Sequence, residues 1–181
     1  MTKSAFWVRR LAVLTAVLTL LAGIAAPASA DDRKDDPAFL SIGAGYFDFN
    51  RQKDQGGEYR LEYRSDLKLW EFKPFLALAG SETGNYFAGA GILIDVYLGR
   101  RWVVTPSFAP HYYHGGNKQL DLGYPLEFRS QLEVAYRFDN RARLGLAISH
   151  YSNASLDEQN PGTETATLYL SWPLESLSFN D

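Results

Sequence analysis

From residue 39 onward, apolar and polar side chains alternate with a period of two, the pattern of extended strands that bury one face. The clearest run is Leu126 to Phe138. Leu126, Phe128, Leu132, Val134, Tyr136 and Phe138 fall on one face, with Glu127, Arg129, Gln131, Glu133 and Arg137 on the other. Glu58 to Arg64 repeats the pattern, with Tyr59, Leu61 and Tyr63 opposite Glu58, Arg60, Glu62 and Arg64. Six further runs complete the series: Phe39 to Phe47, Trp70 to Ala79, Tyr86 to Leu98, Trp102 to Tyr112, Arg143 to Ser149 and Thr165 to Trp172. No convincing amphipathic helix appears among them. The run from Trp102 holds Pro106 and Pro110. Proline has no N–H for the ladder, so a bulge or local break is expected there.

Eight strands joined as successive hairpins predict an all-β fold, an antiparallel up-and-down barrel. Alternation alone does not say which face is inside. A soluble barrel buries its apolar face and shows charge to water, whereas an outer-membrane barrel presents the apolar face to lipid and encloses a polar interior. Connections one, three, five and seven read as long and two, four and six as short, the asymmetry of outer-membrane barrels. Trp70, Trp102, Tyr112, Tyr136, Phe138 and Trp172 fall near strand ends, where aromatic girdles sit. The reading is an eight-stranded outer-membrane β-barrel whose charged ladders pair inside. The alternative is a non-catalytic small barrel, either a structural outer-membrane protein or a soluble ligand binder.

The N-terminus fits export. Lys3, Arg9 and Arg10 precede an apolar run from Leu11 to Ala26, and Ala28-Ser29-Ala30 follows. This is the form of a signal peptide cleaved after Ala30, shorter than the run a retained anchor needs. Residues 31–181 then form one domain with a charged leader over 31–37. Without Lys3, Arg9 and Arg10 the formal charge of −3 becomes −6, which disfavours a nucleic-acid partner. The chain has no cysteine, so a disulfide framework, a thiolate metal site and a cysteine nucleophile are all excluded. His111 and His114 are three residues apart on a strand and face opposite ways, so no metal site is expected there.

The chemistry concentrates in the last hairpin. His150 and Ser152 are two apart at a strand end, so they share a face with about 6.6 to 7 Å between their Cα atoms. Glu164 follows on the next strand and can orient the imidazole, giving nucleophile, base and acid. The bland reading is a solvated histidine beside ordinary loop residues. Parity favours function: His150 and Ser152 share a face with Leu144, Leu146 and Ile148, and Glu164 with Leu168, Leu170 and Trp172. In a membrane barrel the three polar groups therefore lie on the lipid-facing wall, a costly position without a role.

His150-Tyr151-Ser152-Asn153-Ala154, followed by Asn160-Pro161-Gly162 and Glu164, resembles the signature of the lipid A 3-O-deacylases called PagL. The resemblance is specific in the last two strands; elsewhere it covers length, export signal and strand count. It implies an eight-stranded outer-membrane barrel that removes the ester-linked acyl chain at the 3-position of lipid A, part of lipopolysaccharide, in the outer leaflet. It places the catalytic residues on His150, Ser152 and Glu164, matches Asn153 and Asn160 to family asparagines near the oxyanion hole, and implies no metal or other cofactor. Two features depart from the pattern. Ser155 stands where the family often has glycine, and the chain continues beyond Trp172 through Pro173 to Asp181, where such barrels usually end on an aromatic residue.

Overall fold

The computed structural model describes residues 36–116 and 119–174; the expected signal peptide, most of the leader and the tail beyond Leu174 lie outside them. The described chain forms nine strand segments: β1 Phe39–Phe47, β2 Gly56–Arg64, β3 Lys73–Ser81, β4 Tyr86–Leu93, β5 Val96–Leu98, β6 Trp102–His114, β7 Leu126–Arg137, β8 Arg143–Ser152 and β9 Thr163–Pro173. Apart from β4 and β5, sequence neighbours pair antiparallel, β1 pairs with β9, and β4 pairs with β6, so the sheet closes on itself. β4 and β5 are successive parts of one stave, each paired to β6, which makes an eight-stranded barrel.

The prolines act differently from the expectation. β6 runs unbroken through Pro106 and Pro110, and the interruption falls in the stave opposite, at Ile94 and Asp95. The Ile94 N–H donates to the Pro106 carbonyl at 3.1 Å. Proline has no N–H to return the second bond of that pair, so the partner ladder lapses while β6 stays extended. The loop-length rule also holds only in part, because the second connection, 65–72, is long and the third, 82–85, is short.

The apolar face is outside. Leu144, Leu146, Ile148, Leu168 and Trp172 are exposed, as are Leu132 and Val134 on the neighbouring β7 and Leu61 and Tyr63 on β2. The charged ladders face inward and are buried. A soluble barrel would require the reverse, so the chain is a membrane barrel. Inside, β2 and β7 stand apart in the sheet yet meet across the interior. Arg64 pairs with Glu133 at 2.6 Å, and Arg129 with Glu62 at 2.7 Å. Lower down, Arg143 pairs with Asp36 at 2.5 Å and with Asp95 at 2.9 Å. Asp36, expected in the charged leader, is drawn into the barrel mouth and also pairs with Arg137 at 2.7 Å. Burial alone would raise its carboxyl pKa, yet Arg137 and Arg143 outweigh burial and hold it below the usual range.

Candidate active site on the outer wall

β8 and β9 are in register so that His150 lies directly opposite Glu164. Both side chains point outward, 47% and 18% exposed, and His150 Nδ1 lies 3.0 Å from Glu164 Oε1. An ionised carboxylate only accepts, so Nδ1 carries the proton in this bond and Nε2 is left with a lone pair. Ser152 is half-buried two residues on, on the same face, opposite Phe128 of β7. Among the described residues no hydrogen bond joins Ser152 to His150; such bonds often tighten only when substrate arrives.

The inward residue between them sets the geometry. Tyr151 is fully buried, with its ring 4.4 Å from that of Phe87 and edge-on to His111 at 5.5 Å. A clamped inward residue fixes the outward directions of its two neighbours. His111 is buried inside the barrel and His114 is exposed, so they do not converge.

Loops hold the other side. Asp48, buried with φ 54°, accepts the N–H groups of Lys53 and Asp54 at 2.7 and 2.8 Å and the Thr163 hydroxyl at 3.0 Å. The Phe49 N–H donates to the Glu164 carbonyl at 3.2 Å. The 48–55 loop thus pins the backbone that carries Glu164. Nothing in the local sequence singles out Asp48, since its partner Thr163 is 115 residues away.

The two asparagines separate in role. Asn153 is fully buried, and its amide group donates to the carbonyls of Leu122 at 3.0 Å and Gln159 at 2.7 Å. Its oxygen accepts the Ser155 N–H at 2.9 Å. Both amide hydrogens are committed, so this side chain organises the loop and has none left for an oxyanion. Asn160 is exposed, and its oxygen accepts the Asn153 N–H at 3.1 Å. That bond fixes which amide atom is the oxygen and leaves the nitrogen of this exposed side chain a free donor among the described residues. Ser155, where the resemblance favours glycine, has φ 65°, a conformation glycine adopts without strain.

Gly162, part of the Asn160-Pro161-Gly162 signature but given no role by it, has φ 65°, and a Cβ there would lie 2.8 Å from the Tyr151 carbonyl oxygen and 3.1 Å from His150 Cε1. Gly162→Ala is expected to push the imidazole aside and lower any reaction at this site about 10²-fold, the cost of roughly 1 Å of misplacement. The barrel should still form, which the shift of the folded band on unheated gels checks.

These features define a transmembrane β-barrel with a histidine–carboxylate pair and an adjacent serine on its lipid-facing wall. Residues 57–173 match the profile of the lipid A 3-O-deacylase (PagL) family, and the chain belongs to that family of outer-membrane lipid A deacylases. The structure is similar to the crystal structure of the outer membrane enzyme PagL, with a TM-score of 0.61 and 20% identity over 75% of this chain and 99% of that one. A de novo designed transmembrane β-barrel aligns over 77% of this chain and 94% of its own, with a TM-score of 0.49 and 9% identity. Comparison with curated protein sequences gives no match.

Proposed function

We propose that this protein is a serine esterase that removes the 3-O-linked acyl chain of lipid A from the outer leaflet. The observation that carries this reading is the 3.0 Å His150–Glu164 contact on a predominantly apolar, lipid-facing wall. Glu164 holds the imidazole with Nε2 toward Ser152. Nε2 takes the hydroxyl proton as Ser152 Oγ attacks the ester carbonyl. The Asn160 amide nitrogen donates to the oxyanion, and one such donor is worth about 2.7 to 4 kcal/mol. As the tetrahedral intermediate collapses, the imidazolium passes its proton to the departing sugar oxygen. Water, deprotonated by His150, then releases the fatty acid and frees Ser152. Because the face borders the bilayer, the acyl chain need not enter water at any step.

Mass spectrometry of lipid A from outer membranes carrying the protein tests this. The expected result is loss of one hydroxyacyl group, with the remaining chains placing the loss at the 3-position. Unchanged lipid A in membranes that contain the folded barrel would overturn the proposal.

A further inference from the structure

The lipid-facing band is uneven in height unless the connection between β2 and β3 is part of it. On β7 the outward apolar residues run from Leu126 to Tyr136, and on β6 from Trp102 to Tyr112. Each run is ten residue steps, roughly 33 Å along the strand, or about 25 Å of height at a tilt of about 40°, which is the height of the apolar band of an outer-membrane barrel. β2 and β3 have nine residues each, against thirteen in β6 and twelve in β7. The outward apolar run of β2 spans only Tyr59 to Tyr63, about 10 Å of height by the same reckoning.

The missing height is supplied by residues 65–72. The Ser65 N–H donates to the Pro74 carbonyl at 3.0 Å, and Leu69 and Phe72 exchange backbone bonds at 2.8 and 3.2 Å, so pairing resumes beyond the named strands. Trp70, with φ 62°, and Glu71 make the two-residue tip. Leu67 and Leu69 keep the parity of Leu61 and Tyr63, and Phe72 keeps that of Leu76 and Leu78. All are exposed: Leu67 and Leu69 at 69%, Phe72 at 36% and Trp70 at 91%. Asp66 and Lys68 are exposed as well, and a tip tryptophan suits a membrane–water boundary.

We propose that the 65–72 hairpin is seated in the periplasmic leaflet, with Leu67, Leu69, Trp70 and Phe72 against phospholipid. It thereby completes the apolar wall on the β2–β3 side. Continuity of this face with the lipid-facing wall favours lipid as the occupant over a protein partner.

The test is nitroxide labelling of Leu69→Cys and Phe72→Cys in the otherwise cysteine-free full chain, folded into phosphatidylethanolamine/phosphatidylglycerol vesicles. Leu146→Cys at mid-wall and Asn140→Cys in a turn at the same end serve as references, and Leu67→Cys replaces either label that prevents folding. Power saturation should show the hairpin labels meeting oxygen and shielded several-fold from an aqueous nickel complex, as at 146. Labels at 69 and 72 that meet nickel as freely as the one at 140 would overturn the proposal and leave the deacylase reading untouched. A label at 146 that reads as aqueous would overturn it together with the lipid-facing wall.

Discussion

Ser152→Ala is expected to lower the rate constant for lipid A deacylation by about 10⁴-fold or more while leaving the barrel folded. The serine is half-buried and, among the described residues, no hydrogen bond of the scaffold runs through its hydroxyl, so the loss should be chemical. His150→Ala should cost about as much, and the double variant little more than either alone, because nucleophile and base act as one unit. Glu164→Gln is a sharper test. The amide can donate to Nδ1 and leave the proton on Nε2, where it blocks acceptance of the serine proton; the loss should approach about 10⁴-fold. Asn160→Ala should cost less, about 10² to 10³-fold, as expected for one oxyanion donor. Asn153→Ala should behave differently again, loosening the 153–162 loop and lowering thermal stability along with rate. Single-turnover assays on purified lipid A in mixed micelles, with the melting temperature recorded for each variant, separate these outcomes. Full activity in Ser152→Ala would remove it as nucleophile.

Much of this arrangement is visible in the alternation of residues. Glu127 to Arg137 against Leu126 to Phe138 gives a strand and its two faces, and the two-residue spacing of His150 and Ser152 gives a common direction. Which face meets lipid is a property of the closed barrel, and loop lengths were an incomplete guide to it. The 65–72 connection is long but pairs again at Leu69 and Phe72, and a length count cannot tell a paired extension from a free loop. The prolines misled for a related reason. A missing N–H affects whichever neighbour it faces, and strand direction in three dimensions decides that this is Ile94 on the opposite stave, whose N–H reaches Pro106 but whose carbonyl gets no return bond from it. Asp48 and the division of labour between Asn153 and Asn160 are also beyond a linear reading. They depend on which carbonyls the loops bring within reach, and Leu122 lies 31 residues from Asn153.

The second large effect lies inside the barrel, away from the site. Glu62 is buried and serves four donors. Its Oε1 accepts from Arg129 at 2.7 Å and the Tyr169 hydroxyl at 2.9 Å, and its Oε2 accepts from Arg64 Nε at 3.1 Å and from its terminal nitrogen at 3.0 Å. Arg64 also has Glu133, whereas the only carboxylate that Arg129 reaches among the described residues is Glu62. Glu62→Ala therefore strands a fully buried guanidinium, and breaking such a pair from one side costs about 3 to 5 kcal/mol. Arg129→Met should cost less, since Glu62 keeps Arg64 and Tyr169, and methionine can fill the space against Phe75, whose ring lies 5.1 Å from the guanidinium carbon. Adding Arg129→Met to Glu62→Ala should recover part of the loss, because the stranded charge goes with it. Urea unfolding in detergent micelles, read as midpoints for the four members of this cycle, gives the coupling directly. A Glu62→Ala midpoint within error of the parent would mean that water or another group already neutralises Arg129, and that the interior pairs set which residues meet without holding the barrel together.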